Sequence, residues 1–478
     1  MPELNTRLGT LRAYHLAAIV FISSFLSAYD SGVAGGILTY KSFQADLGYK
    51  TISQSKVSSL TVGLEQLGSF IGAAVVYPLT NKYGHKLTIL GSTALFIIGV
   101  IIQVIKTHSL AAWYIGRIIA GLGMGGQSVV IPMYSAEMTP KEICGRCGSF
   151  YQWLYAWGVF TAYWIDYGVA KSNSIAGTSR EWQIPVGLQL ISGGILFIGS
   201  FTLPESIRWL LTQNRTDEAW KSITWIRGDE DIKTREEFTE TQLGLQAERA
   251  EREGFSYREL LEPANRLRFI VGPLLFIFQN ATGSSALAVF APHRRMTLAG
   301  GAALMAICML ITALIVDYVP TQSATNVTSA GRATVAMIYL DIMIYNCSWG
   351  PLPWAYVPEI FPTRIRALGL AVSMLAHWAS SFCFSFASPY MIKNVGANTF
   401  LVFMGFDIVA AGFCWVFVKE TRGKNLEIAA GTEWETAERS STDDSEKGGV
   451  LNADGKKVQI VSVHENFHAN LKHQSVEH

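Results

Sequence analysis

Charge is sparse in this chain and neither sign dominates. Of 478 residues, 38 are Lys or Arg and 37 are Asp or Glu, so charged residues make up 16% and the formal net charge is +1. Without a basic surplus there is no electrostatic case for nucleic-acid binding. Cysteine is scarce too, with six in all and no paired metal-ligand spacing, and Cys144-x-x-Cys147 has no second pair to complete a zinc site. No metal, cofactor or catalytic residue is expected, and the chain does not read as an enzyme. Nor is a cleaved leader expected. A short polar segment with Arg7 and Arg12 runs into an apolar stretch longer than a signal peptide, which reads as a retained span.

Apolar sequence is what the chain has in quantity, at 50% of residues, with 12% aromatic and 43 glycines. Runs of about 20 mostly apolar residues, each long enough for the roughly 30 Å hydrocarbon core, are expected to cross a bilayer as helices. In the first part they fall at 14–38, 57–79, 87–105, 111–134, 147–169 and 184–203. Lys82, Lys86, Lys141 and Arg208 lie at or beside the loops after the even spans, which puts those ends in the cytoplasm. After a polar stretch come runs at 268–292, 296–319, 333–357, 368–392 and 399–418. The chain thus divides into a cytoplasmic segment (1–13), a six-helix bundle (14–203), a cytoplasmic linker with short helices (204–265), a second bundle (266–420) and a tail (421–478). The tail, rich in Ser, Thr, Glu, Asp and Lys, is expected to be disordered.

The fourth run carries the most specific pattern, GRIIAGLGMGGQSVVIPMYSAEMTPKEICGR from Gly116 to Arg146. Arg117 opens it, where an unpaired charge would be costly in lipid, so it should face a partner or a watery cavity. Gly121, Gly123, Gly125 and Gly126 give the helix a side without side chains, which admits a neighbour closely. Pro132, Tyr134, Glu137 and Pro140 close it as a membrane-surface loop. This stretch resembles the sugar porter family of the major facilitator superfamily, whose fourth span reads G-R-x-x-x-G-x-G-x-G followed by P-x-Y-x-x-E-x-x-P-x-x-x-R-G. Cys144 stands where the family has the last Arg. PESIRWLL in the linker, FQNATGSSALAVFAP in the seventh run, GPLPWAYVPEIFPTRIRALG in the tenth and KETRGKNLE after the last resemble further family motifs. The feel is closest to the fungal quinate permeases and monosaccharide transporters.

That resemblance implies an all-α membrane protein of the major facilitator fold, with two pseudo-symmetric helical bundles. Eleven spans are recognisable where the family has twelve. Only His293, Arg294 and Arg295 separate Pro292 from the next apolar run, and the two arginines look like the pair that opens the family's ninth span. About 50 residues, one loop plus the eighth span, are therefore expected to be absent. With one crossing missing, either the later spans are inverted or they keep the family's orientation, and then residues 269–292 cannot cross as one straight helix.

The same resemblance assigns roles by position. Asp30, in YDSGVAGG of the first span, is the expected proton acceptor, with Arg117 setting its affinity; the structural alternative is a permanent ion pair joining two helices. Substrate contacts are implied at Gln152, Gln279, Asn280, Ser285 and Trp354, because a polyol needs amide and hydroxyl partners against an aromatic plane. Trp354 could equally be an interfacial belt residue, but its place in GPLPW, beside helix-bending prolines, favours binding. Ser285 replaces the family's Asn and shortens one donor arm.

The cytoplasmic gate reads YPLTNKYGHK, with Asn81 and His85 in place of Asp and Arg, and with Lys82, Gly84 and Lys86 keeping the rest. Losing the Asp removes a capping and ion-pairing group. Glu137, Glu205, Arg208, Glu359 and Arg364 would complete the latch. Glu65, Asp341, Asp407 and His377, inside apolar runs, are given no role, and Asn326-x-Thr328 is a bare glycosylation sequon.

The expected function is alternating-access transport of a small polyol, a monosaccharide or a quinate-like acid, by proton symport. The alternative is a sugar sensor or a defective paralogue that does not transport. The lipid bilayer, protons and the small-molecule substrate are the expected partners, with no nucleic acid. The expected site is the plasma membrane of a fungal-type eukaryotic cell.

Overall fold

The computed structural model describes residues 7–418 apart from 50–53, 106–108, 140–143, 173, 176, 253–262, 282–293, 319–327, 351 and 362. The expected disordered tail, Ser285 and the sequon at Asn326 lie outside the described residues. The first bundle is built from α1 (Arg7–Ile37), a short α2 (Lys41–Leu47), α3 (Gln54–Tyr83), α4 (His85–Val104), α5 (Leu110–Met138), α6 (Cys144–Lys171) and α7 (Arg180–Phe201). The linker folds into α8 (Ile207–Thr212), α9 (Thr216–Arg227) and α10 (Ile232–Arg252). The second bundle holds α11 (Pro263–Ala281), α12 (Arg294–Tyr318), α13 (Ser329–Cys347), α14 (Leu352–Ile360), α15 (Thr363–Val395) and α16 (Asn398–Phe417).

Every expected span coincides with a helix to within a few residues, except that the tenth is two helices and the seventh is described only to Ala281. Among the described residues, eight helices are long and apolar enough to cross a membrane; the short α2, α6, α11 and the pair α13 and α14 are the remaining members of the bundles. The break between α13 and α14 falls in the GPLPW segment. Proline has no N–H, so Pro353 leaves the Trp349 carbonyl without its helical donor.

Close approach through glycine organises the first bundle, but on two faces of α5 rather than one. A Cβ on Gly121 or Gly125 would strike the backbone of α3 at Glu65 and Ser69, while one on Gly123 would strike α4 at Ser92 and Phe96. Gly68 and Gly72 of α3 return the contact at Ile118 and Leu122. In lipid, where burial of apolar side chains gives helices little reason to associate, such backbone contact supplies the packing. The outward side of α6 is a ladder of Phe150, Trp153, Trp157, Phe160, Trp164 and Tyr167, with successive ring centroids 5.4–6.0 Å apart. All six are exposed, consistent with a lipid-facing surface. The linker packs as its polar composition requires, with one side only against the bundle: Ala219, Ile223 and Ile226 of α9 are buried with Leu16 and Val20 of α1. The two bundles touch along α3, α5 and α15, where Ser381 donates to Gln66 (2.9 Å) and the Trp378 indole donates to Ser128 (3.2 Å).

Candidate functional site

Arg117 sits one helical turn before Gly121, so the close approach that Gly121 allows also brings α3 to the guanidinium. Its Nε donates to the Thr61 carbonyl (3.1 Å), its Nη1 to Asp30 Oδ1 of α1 (2.9 Å) and its Nη2 to Glu65 of α3. Asp30 is 0% exposed and Glu65 and Arg117 are each 1%. Trp113, one turn earlier on α5, donates to the Thr61 hydroxyl (3.3 Å) and fixes the same stretch of α3. The pairing of Asp30 with Arg117 is as expected. Glu65, given no role from sequence, is a full third member. The signal that could have found it is an acidic residue inside an apolar run at the level of a buried arginine. Each carboxylate gives one oxygen to Arg117; Asp30 Oδ2 and Glu65 Oε1 are buried with no partner among the described residues.

In the second bundle, Gln279 of α11 supplies the donor that Pro353 withholds. Its side-chain amide donates to the carbonyls of Trp349 (3.0 Å) and Gly350 (2.6 Å), and its backbone carbonyl accepts from the Tyr345 hydroxyl (3.3 Å). Asn280 Nδ2 lies within hydrogen-bond distance of the Phe276 carbonyl, the His377 carbonyl and Ser380 Oγ, at 3.1, 3.0 and 2.9 Å. Both residues line a cavity of about 320 Å³ together with Tyr345, Ser381, Ser385, Ser388, Phe384, Phe400 and Phe403. Amides and hydroxyls against aromatic planes are the chemistry a polyol requires.

Trp354 is not among those cavity walls. It stands 39% exposed on α14, with its ring edge-on to Phe276 (5.2 Å) and His377 (5.5 Å). The expected substrate residues are therefore split: Gln279 and Asn280 share a cavity, and Trp354 packs against Phe276 and His377. Gln152 lies in α6, but its side chain, like those of Glu359 in α14 and Arg364 in α15, is outside what the structure describes.

At the other end of the first bundle, the expected gate residues gather around the start of α4. Gly84 holds φ of +93°, and a Cβ there would meet the Glu205 carboxylate, so a side chain is barred both by backbone strain and by space. Glu205 accepts from the backbone N–H groups of His85 (2.8 Å), Lys86 (3.1 Å) and Ser206 (2.9 Å). The helix-capping role that leaves with Asn81 is thus supplied across the bundle by Glu205, at a terminus whose dipole favours a negative charge. Ser206 donates to Glu137, and the His85 ring lies between the two acids, 3.5 Å from Glu137 and 3.9 Å from Glu205. Lys86 donates to the Phe201 carbonyl (2.8 Å), the Trp209 indole donates to the Asn81 carbonyl (3.0 Å), and Lys82 extends over the Tyr83 ring. Arg208 lies half-buried at the start of α8.

A family model described as sugar (and other) transporter matches residues 16–293 and again 293–431, in two pieces that meet at His293. A probable quinate permease of Neosartorya fischeri is 29% identical, with 87% of this chain and 86% of that protein covered. The quinate permease of Emericella nidulans is 27% identical, with 87% of each covered. The first of these alignments runs over 470 positions, whereas 87% of this chain is about 416 residues, so about 54 positions face gaps in this chain. Among solved structures, the proton:xylose symporter XylE bound to 6-bromo-6-deoxy-D-glucose superposes with a TM-score of 0.69 at 21% identity, covering 90% of this chain and 99% of that one. The inward-open xylose transporter XylE of E. coli gives 0.70 at 23% identity, with 87% and 99% covered. The fold is that of the major facilitator superfamily, and the apolar helices make the chain an integral membrane protein. Its homologues are permeases and sugar porters rather than catalysts. The chain belongs to the sugar transporter family, whose members move sugar-like substrates across membranes.

Proposed function

We propose that this chain carries a quinate-like polyol acid or a monosaccharide by alternating access, coupled to a proton, in the plasma membrane. The observation that carries the reading is the buried Asp30–Arg117 contact between α1 and α5. An ionisable pair held inside an apolar bundle is functional by default, because a structural link could be made without charge. Protonating Asp30 frees Arg117 from one partner and loosens the tie between α1 and α5, which gives the proton a route to bias one conformation. The amide and hydroxyl lining beside Gln279 and Asn280 supports a polyol. The quinate permeases among the relatives favour the acid over the hexose. The gate around Glu205 and Glu137 is proposed to close the cytoplasmic end.

The test is reconstitution of the full chain in liposomes, with quinate and glucose each added at one side and internal pH followed by dye. Quinate-driven proton movement in the wild type and none in Asp30→Asn, with quinate binding retained, is the expected result. A second reading, a substrate-binding sensor that does not transport, is favoured by the break in the family match at His293. Binding without any flux in the wild type would select it.

A further inference from the structure

Three charged side chains meet at the centre of the first bundle, and their charges do not cancel. Asp30 on α1, Glu65 on α3 and Arg117 on α5 are all at or below 1% exposure, and the single guanidinium serves both carboxylates. With both acids ionised the group carries one net negative charge, which a buried site holds badly. The two carboxylate oxygens that do not reach Arg117 have no other partner among the described residues. A single added proton makes the group neutral and turns one of those oxygens into a donor. Neither acid is the evident choice, since each already gives one oxygen to the same arginine.

Among the described residues, the helices packed on this group supply no second positive charge to it. On α1, the Tyr29 hydroxyl next to Asp30 donates to the Pro185 carbonyl of α7 (3.0 Å), and Asp166 of α6 adds a further acid near that phenol. Where it meets α5, α4 presents Ser92, Phe96 and Gln103, and α15 faces α3 with Ser381, Phe382 and Phe386.

We propose that Asp30 and Glu65 share one exchangeable proton over Arg117, so that Glu65 is a proton carrier equal in standing to Asp30. This rests on the proton-coupled reading above and deepens it. Removing either acid leaves a one-to-one ion pair that is already neutral and has no reason to bind a proton. Two consequences separate this from a site where Asp30 acts alone. Glu65→Gln should abolish proton binding as completely as Asp30→Asn, and the double variant should do no more than either single one.

The experiment is an infrared pH titration of the full-length protein in nanodiscs of neutral lipid, following the C=O band of protonated carboxyl groups. Wild type, Glu65→Gln, Asp30→Asn, the double variant and Glu65→Asp are compared, with helix content checked by circular dichroism. The expected result is loss of the same one-carboxyl component in both single variants, no additional loss in the double variant, and its retention in Glu65→Asp. Glutamine and asparagine keep the shape and one acceptor oxygen for Arg117, and the Asp variant keeps the charge should glutamine prevent folding. A full-height band in either single variant, or losses that add in the double variant, would overturn the sharing. A pH dye then counts protons exchanged on adding quinate, with one expected in wild type and none in Glu65→Gln. If wild type exchanges none while the infrared pattern holds, coupling to quinate is wrong and the shared proton stands. If wild type exchanges a proton and Glu65→Gln does so equally, the role of Glu65 is overturned.

Discussion

Replacing Glu205 by Ala should loosen the first bundle where α3 meets α4 by an amount that follows from its contacts. The carboxylate takes the N–H groups of His85 and Lys86, two donors at the start of α4, and that of Ser206. Loss of an N-cap acceptor costs about 1 kcal/mol, and loss of a negative charge at the positive end of the helix dipole about another 0.5 kcal/mol. Leaving partly buried N–H groups without an acceptor adds about 1 kcal/mol. The side chain is 17% exposed, so screening takes little from these figures. The expected total is about 2–3 kcal/mol for Glu205→Ala. Glu205→Gln keeps an acceptor and loses mainly the charge, about 0.5–1 kcal/mol. Unfolding of the purified protein in mixed micelles of increasing SDS content measures both. Equal losses in the two variants would mean that charge alone matters and that the cap geometry contributes nothing, which would refute the reasoning.

Trp354→Ala should weaken quinate binding, read by calorimetry, by about 1–3 kcal/mol, and no change would place the indole in the interfacial belt instead. Gly125→Ala should destabilise the protein by about 1–3 kcal/mol by forcing α5 away from Ser69, whereas Gly91→Ala, where a Cβ meets nothing within 4 Å, should gain up to about 1 kcal/mol in the same SDS titration.

The helices were legible because a bilayer demands about 20 apolar residues at a time, and that signal needs no knowledge of neighbours. The break at GPLPW was not: the apolar run from 333 to 357 reads as one span, although its prolines act on their own backbone and divide it into α13 and α14. Partners across helices were legible only where a family pattern named them. Asp30 and Arg117 were found that way; Glu65 was not, because its partner lies 52 residues away on another helix and its acidity alone says only that it is buried. Glu205 had been assigned to an ion-pair latch, and its capping of α4 depends on a three-dimensional approach that spacing does not encode. The α2 and α8 helices, of seven and six residues, are too short for a periodic signal.

The expected absence of an eighth span leads to the last prediction. Gln279 donates to the Trp349 carbonyl and the Trp349 indole donates to the Leu298 carbonyl (2.9 Å), so α11 near its described end, the break after α13 and the first turn of α12 meet at one level of the bundle. Arg295 at the start of α12 lies over Trp415, close to the end of α16. The described helices of the second bundle therefore pack on one another, α12 against α16. Only residues 282–293 join α11 to α12. Twelve residues cannot supply a loop and a helix of about 20. The family match divides at His293, and the alignment with the quinate permease leaves about 54 positions unfilled. A carrier must rock one bundle against the other as a rigid body, and a bundle missing a wall exposes polar groups to lipid, which is costly. The 478-residue chain should accordingly take up quinate more slowly than the same chain with about 50 residues of a family eighth span and its loop inserted at His293, both measured in cells lacking their own carriers. Equal uptake by the two chains would show that the added span is not needed for alternating access.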